Sequence, residues 1–399
     1  MCFDNDFIYG IIDMYYLKDG ISMKKILHIP NYYHPHIGGI EQTARDIVNS
    51  LDKDFTEEVI CFRGEKGDSI EEIDGIKVIK CGEFKKIASQ SLSLSYKKLL
   101  KREMKEYNPD IIVFHYPNPF LAHYLVKYLK KNPNIIFILW WHMDITKQKK
   151  LAKLFERQSQ YLLKRATKIV STSPKYIEGS KYLSKYKEKV TPIPSCIPDY
   201  RADYSGKILD RANEIRKENE GKKIVFSFGR HVEYKGLKYL VEASKYLSND
   251  YKIFIGGKGP LTEELKDLAK DDSKITFLGF LDNNELKSYI KASDIFAFPS
   301  ITKNEGFGLA LVEAEAASKP AVTFTVEGSG INYVALDGVT AIESPNSDSK
   351  ALSDAILKLG NDPKLREEMG NNGYNRYKEL FSFDKFKDLV NQLFLEYKE

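Results

Sequence analysis

Short apolar runs alternate regularly with helix-like segments along this chain, and the pattern occurs twice. A first series reads Ile26–Pro30, Glu58–Arg63, Ile76–Lys80, Ile111–His115, Ile135–Trp140, Lys168–Thr172 and Val190–Pro194. A second reads Lys223–Phe228, Lys252–Gly256, Lys274–Leu278, Asp294–Phe298 and Pro320–Phe324. Runs this continuous and rich in β-branched residues suit parallel sheets covered on both faces. Two series in 399 residues predict two doubly wound α/β domains of ordinary size. The Pro-rich stretch Pro192–Pro198 is the expected join, which gives domains at 23–198 and 199–380. A last helix is expected over 381–399, where Phe386, Leu389, Val390, Leu393, Phe394 and Tyr397 keep helical spacing.

Residues 1–22 stand apart. They carry Asp4, Asp6, Asp13 and Asp19 and lack a basic start before an apolar core, so they do not read as a secretory signal. Met23-Lys24-Lys25 directly precedes the first strand, which marks 1–22 as a disordered or non-native extension and leaves Met1 and Met23 both open as the native start. No run of eighteen apolar residues occurs, so no membrane-spanning helix is expected. Cys2, Cys61, Cys81 and Cys196 form no CxxC pair, and the first strand-borne two read as small core residues in a reducing cytoplasm. The seven histidines show no metal-ligand spacing.

Charge is lopsided although the net value is only +5. Between Lys97 and Lys168 there are sixteen Lys or Arg against five Asp or Glu, a surplus that attracts anionic surfaces. Within it Leu92, Tyr96, Leu99, Leu100, Met104 and Tyr107 keep helical spacing, with Lys97, Lys98, Lys101 and Arg102 elsewhere. That pattern is an amphipathic basic helix, seated either on a lipid surface or on a core with its basic face in water.

Parallel sheets bind ligands beyond the carboxyl ends of their strands. His34 and Gly38-Gly39, His115, and His142 with Asp144 fall at such ends in the first half; Arg230, Gly257 and Glu305 do so in the second. The richest of these segments is Glu305-Gly306-Phe307-Gly308-Leu309-Ala310-Leu311-Val312-Glu313. Its glycines free backbone N–H groups at a helix start, where partial positive charge suits an anion. Its two carboxylates are separated by at most ~12 Å of helical rise and could accept hydroxyl hydrogen bonds. A phosphate held between such groups suggests a sugar nucleotide; an ordinary strand-turn-helix with solvated acids is the plainer alternative. Upstream, Gly229-Arg230-His231-Val232-Glu233-Tyr234-Lys235-Gly236 brings Arg and Lys five residues apart on a loop-to-helix turn, a bidentate clamp beside a compact charge.

Together these two segments resemble the C-terminal half of family 4 glycosyltransferases, group 1 type, which are retaining enzymes of the GT-B fold that use nucleotide-diphosphate sugars. The resemblance runs over nearly the whole chain from Lys24. His28–Glu41, with Gly38-Gly39, is similar to the family's N-terminal glycine loop; Trp141-His142-Met143-Asp144 with Lys147-Gln148 is similar to its acceptor-side histidine segment. Ser173-Pro174-Lys175-Tyr176, Gly256-Gly257-Lys258-Gly259-Pro260, Phe277-Leu278-Gly279-Phe280 and Gly328-Ser329-Gly330-Ile331 follow in order.

The resemblance implies two Rossmann-like domains facing a central cleft, with the C-terminal helix crossing back to the N-terminal domain. It puts Arg230 and Lys235 on the diphosphate, Glu313 on the ribose hydroxyls and Glu305 on the donor sugar. Gly306, Phe307, Gly308 and Leu309 would contact sugar or phosphate oxygen, and Gly257, Gly259 and Phe280 would line the base pocket. His142 would sit near the transferred sugar and Gly38-Gly39 would let backbone approach the phosphates. A packed structural histidine is the competing reading of His142, and an N-cap for a helix starting near Lys147 that of Asp144. No nucleophile stands out, so substitution on one face with retention is implied, with no metal or other cofactor. Implied partners are a nucleotide-sugar donor such as GDP-mannose or a UDP-hexose, and a glycan acceptor on a polyprenyl diphosphate. Anionic inner-leaflet lipids complete the set, at the cytoplasmic face of a membrane where surface polysaccharide is built.

Three rivals are weaker. A nicotinamide oxidoreductase lacks its GxGxxG after the first strand of either half, and Arg63 stands where its acid is needed. Nucleic-acid binding leaves the Glu305 turn without a role. An inactive sugar-nucleotide-binding module on a membrane assembly has no support from lost residues, since Arg230, Lys235, Glu305 and Glu313 are all present. Departures from the family pattern are Pro194-Ser195-Cys196-Ile197-Pro198, without its glycine and aspartate, and Glu315 and Ser318, where a methionine and a small residue are usual.

Overall fold

A computed structural model describes residues 17–18, 21–36, 38–87, 90–145, 149–202, 204 and 206–398. The expectation of disorder for residues 1–16, and the segment Lys147-Gln148, lie outside them. Leu17–Lys18 and Ile21–Ser22 pair as a short antiparallel ladder.

Two compact units form. One comprises 1–170, 188–191 and 387–399; the other comprises 171–187 and 192–386. The division therefore falls earlier than residue 198, because residues 171–187 make their contacts with the second half of the chain. One such contact is a backbone approach so close that a Cβ on Gly179 would stand 2.2 Å from the Gly328 Cα.

The first sheet contains β1 (Lys24–Ile29), β2 (Phe55–Phe62), β3 (Ser69–Ile73), β4 (Ile76–Cys81), β5 (Ile111–Tyr116), β6 (Ile136–Trp141), β7 (Lys168–Ser171) and β8 (Val190–Pro192). Their order is β8-β7-β6-β5-β1-β2-β4-β3. Strand β3 runs antiparallel to β4 at the edge, and the sequence reading passed over it. Its residues alternate between half-buried and exposed, so it lacks the continuous apolar signature that exposed β1 and β5 in the sequence. Leu92, expected in the basic helix, instead pairs with Lys85 in a small hairpin, and the helix spans Tyr96–Glu106. Tyr96, Leu100 and Met104 are buried on it, while Lys97, Lys98, Lys101 and Lys105 are exposed. Cys61 and Cys81 are fully buried, as the strand pattern requires. The closing helix, Phe383–Leu395, places Phe394 edge-on to Phe55 at 5.8 Å, and Asn391 donates to the Ser50 carbonyl. Its second half thus belongs to the first unit.

The second sheet is wholly parallel: β9 (Lys223–Phe228), β10 (Tyr251–Gly256), β11 (Ile275–Gly279), β12 (Ile295–Phe298), β13 (Ala321–Phe324) and β14 (Ala341–Ser344). The order is β11-β10-β9-β12-β13-β14, with β14 an edge strand that the sequence reading did not assign. Phe226 and Phe296 are neighbours in register on the central pair and both are fully buried. Helices on the two faces complete one continuous apolar core.

Glu315 is anomalous within that core. It lies on the helix Leu309–Ala316, only 2% exposed, and packs over Gly373. Neither carboxyl oxygen makes a full hydrogen bond. Desolvation pushes its pKa up to about 8, with Thr340 and Arg376 pulling weakly the other way. The native state therefore holds a proton that the unfolded chain releases, and stability falls as pH rises from about 4.5 to about 8. Below that window this loss is absent. Glu315→Met should raise unfolding stability at pH 8 by about 1–3 kcal/mol and change it little at pH 5. Urea denaturation at both pH values checks this; an equal shift at both contradicts it.

Candidate active site

Connectivity in the second sheet reverses direction between β9 and β12. An open parallel sheet leaves its ligand crevice at such a point, beyond the carboxyl ends of the strands. The loops leaving these two strands carry Arg230, Lys235 and Glu305. Past β9 the chain makes a turn over Glu233–Lys235 and then passes Gly236 in the left-handed region, φ +60°. A Cβ there would stand 2.0 Å from the Pro299 carbonyl oxygen, so only glycine lets the turn lie against the exit of β12. Ile301 N–H donates to the Tyr234 carbonyl at 2.9 Å and ties the two loops.

That tie brings Lys235 to Glu305. Their side chains form an ion pair and are 15% and 14% exposed. The Lys235 ammonium also lies 4.9 Å from the centre of the Phe298 ring. Arg230 is different: its side chain is exposed and forms no ion pair with the described residues. The arrangement presents one sheltered cation already compensated by a carboxylate and one cation open to a ligand.

The Glu305 turn is held from behind. Ser329 Oγ donates to the Glu305 carbonyl at 2.7 Å, and a Cβ on Gly330 would stand 2.3 Å from the Gly306 oxygen. Phe307 is buried edge-on to Phe381. Gly308, at φ +93°, starts the helix Leu309–Ala316, whose first turn has no side-chain cap. Its leading N–H groups are therefore available to an acceptor other than a cap. Glu313 lies on this helix and accepts a hydrogen bond from Tyr200 Oη at 2.7 Å. Desolvation pushes its carboxyl up to about 7, moderated by Tyr200, then Lys287 and Lys235. The two acids thus occupy distinct environments, Glu305 ion-paired and Glu313 hydrogen-bonded.

On the other side of β9, glycine backbones stack at the ends of β10 and β11. Gly257 (φ +106°) would put a Cβ 1.9 Å from the Gly229 oxygen, and its N–H donates to Gly279. Gly259 would put one 2.3 Å from the His231 oxygen. His231 braces this loop: Nδ1 pairs with Thr262 Oγ1 at 2.9 Å, while Gly259 N–H donates to the same hydroxyl. Phe280 follows with its ring 73% exposed, so a large aromatic face is open to a planar ligand.

In the first unit, His142 lies past the end of β6, its N–H bonded to the Tyr116 carbonyl at the end of β5. His142 Nε2 is 3.0 Å from His115 Nδ1, and both rings are buried. Burial depresses both histidines, His142 to about 3, so the pair stays neutral at physiological pH. This arrangement supplies a hydrogen bond and no fixed positive charge. Asp144 accepts from Trp141 Nε1 at 2.9 Å, and residues 146–148, where the helix it was expected to cap would begin, lie outside the described residues. Gly38 leads into the helix Gly39–Ser50, and the Glu41 carboxylate folds back so closely that a Cβ on Gly38 would meet it at 2.2 Å.

The sequence reading missed Tyr200, His231 and Ser329 as partners of this machinery. His231 left a trace, since it alternates with exposed Arg230 and so points inward; Ser329 sits in the Gly328–Ile331 segment without a sign of its partner, and Tyr200 left none.

Comparison with known proteins agrees with this fold. The family described as Glycosyl transferases group 1 matches residues 210–376, and Glycosyltransferase Family 4 matches residues 37–199. The chain is a family 4 glycosyltransferase of the GT-B fold. It is 28% identical over 375 residues to O-antigen chain mannosyltransferase C of Escherichia coli, covering 93% of this chain and 98% of that one. To D-rhamnosyltransferase WbpZ of Pseudomonas aeruginosa it is 29% identical, covering 90% and 92%. Anabaena HepE, solved in complex with UDP-glucose, superposes with TM-score 0.72 at 16% identity, covering 93% of this chain and 99% of that one.

Proposed function

We propose that this glycosyltransferase moves a hexosyl unit from a nucleotide-diphosphate sugar to a glycan acceptor in the synthesis of a surface polysaccharide, with retention at the anomeric carbon. The observation that carries the reading is the Lys235–Glu305 ion pair at the switch point of the second sheet, on loops that also carry exposed Arg230 and lead into an uncapped helix start. These groups supply two cations and free N–H donors where a diphosphate leaving group needs them. The acceptor hydroxyl attacks the anomeric carbon as its bond to the diphosphate breaks, and the bond pair leaves with the nucleoside diphosphate. A donor phosphate oxygen takes the acceptor proton, so attack and departure share one face. Arg230 and Lys235 offset the charge that develops, and no metal is needed in this scheme. Glu305 holds a donor-sugar hydroxyl, Glu313 the ribose, and Phe280 with the Gly257 and Gly259 turns the base. Neutral His142 offers a hydrogen bond to the sugar, not a proton-transfer role.

Both relatives named above are called transferases of sugars with the manno configuration, which supports a donor of that shape. A donor panel of GDP-mannose and UDP-hexoses, read by nucleotide release with a lipid-extract acceptor, tests the reading. Arg230→Ala and Glu305→Ala should each lower kcat by at least about 100-fold; unchanged turnover would remove both residues from the site.

The acceptor in this reading rides on a polyprenyl diphosphate, and the enzyme meets it at an anionic membrane surface. Lys97, Lys98, Lys101 and Lys105 form an exposed basic face, with Leu94 (83% exposed) next to it in sequence and Phe84 (51%) at the neighbouring hairpin. No described helix is long and apolar enough to cross a membrane. Flotation at low salt should carry the protein with phosphatidylglycerol vesicles and release it at high salt. Protein that stays at the bottom with those vesicles contradicts the membrane reading.

A further inference from the structure

The second unit has a cavity of about 450 Å³ that the donor scheme does not use. It opens beyond the carboxyl ends of β13 and β14, the same edge of the sheet that carries Glu305. Its polar lining comprises Lys175, Glu178, Thr325, Glu327, Asn332 and Glu343. Gly179 and Gly328 also line it, and their backbones are pressed together: a Cβ on Gly328 would lie 2.8 Å from the Gly179 Cα. A side chain on either would collide with the backbone of the other, so the two glycines are what lets this wall of the cavity close.

The chemistry of the lining selects among ligands. Lys175 Nζ donates to the Asn332 carbonyl at 2.7 Å, which fixes the ammonium and leaves it hydrogens to give. Thr325 Oγ1 donates to Glu343 Oε2 at 3.2 Å, which orients the carboxylate. Asn332 accepts from Val326 N–H, donates to the Phe324 carbonyl, and its side chain also hydrogen-bonds Glu343, which helps to orient that carboxylate. The free capacity is therefore acceptors on Glu343, Glu178 and Glu327 and a donor on Lys175. Three carboxylates against one ammonium disfavour a phosphate or other anion. Among the described residues no cluster is placed to hold a metal ion. A neutral ligand with several hydroxyls satisfies both kinds of group at once, and the volume falls within the range of small-molecule sites.

We propose that this cavity is a second carbohydrate subsite, which binds a neutral hexopyranose unit of the acceptor glycan away from the reacting centre. Its role as an acceptor subsite rests on the proposed transferase function; its binding of sugar does not. Glu343 and Thr325 take a vicinal pair of hydroxyls, and Lys175 donates to a third oxygen. A subsite of this kind favours acceptors that already carry more than one sugar.

Saturation-transfer NMR with free mannobiose tests this, with GDP or UDP at saturating concentration to occupy the donor site. The native protein should show transfer to the disaccharide, and Glu343→Gln and Lys175→Met should each weaken binding about 5–10-fold. No transfer with the native protein, or equal binding by both variants, overturns the subsite. Kinetics then separate it from the transferase reading. With mannose-containing acceptors, the variants should raise KM for a disaccharide about 5–10-fold while leaving kcat, donor KM and KM for a monosaccharide unchanged. A native protein that binds mannobiose but transfers to no acceptor would refute the transferase assignment alone.

Discussion

The ion pair between Lys235 and Glu305 is the interaction on which the proposed donor site depends. It joins the loop leaving β9 to the loop leaving β12, the two strands between which the sheet reverses its winding. Both side chains are mostly sheltered from water, so neither charge can be left without a counter-charge at small cost. An incoming diphosphate can supply that counter-charge to Lys235, while the hydroxyls of the attached sugar can occupy Glu305. In the proposed scheme the pair keeps the empty site compensated and donor binding exchanges one set of partners for another.

Backbone packing makes that meeting possible. Gly236 against Pro299, Gly257 against Gly229, Gly259 against His231 and Gly330 against Gly306 are all approaches that a single methyl would block. Four loops at the edge of one sheet are thereby packed at backbone distance, and the charged side chains project from a rigid support. Such preorganisation matters when catalysis consists of placing fixed charges beside a leaving group. His231 and Ser329 reinforce it with hydrogen bonds to the same loops.

Much of this was legible in the sequence, for identifiable reasons. The buried parallel strands announce themselves as continuous apolar runs, and Lys223–Phe228 appears in the structure with the bounds read from the sequence. Edge strands do not: Ser69–Ile73 places an acid on each face, Glu71 on the half-buried side and Glu72 on the exposed one, and Ala341–Ser344 is only four residues long. Arg230, Lys235, Glu305 and Glu313 stand out because glycine-rich turns surround them. Tyr200 is invisible by comparison, 113 residues from the carboxylate it serves, in a segment with no motif. The sequence also could not say that His142 spends a ring nitrogen on His115, which depends on β5 and β6 being neighbours in register. Glu315 was noticed as an extra acid, and only the fold reveals that it faces the core.

In the proposed scheme Lys235 passes from Glu305 to a diphosphate when donor binds. Calorimetric titration of GDP and of UDP into the native protein and Glu305→Gln tests it most directly. Removing the carboxylate frees the ammonium and deletes a repelling charge, so the favoured nucleotide should bind the variant about 5–10-fold more tightly, about 1 kcal/mol. Unchanged or weaker binding to the variant would contradict the exchange and move the diphosphate away from Lys235.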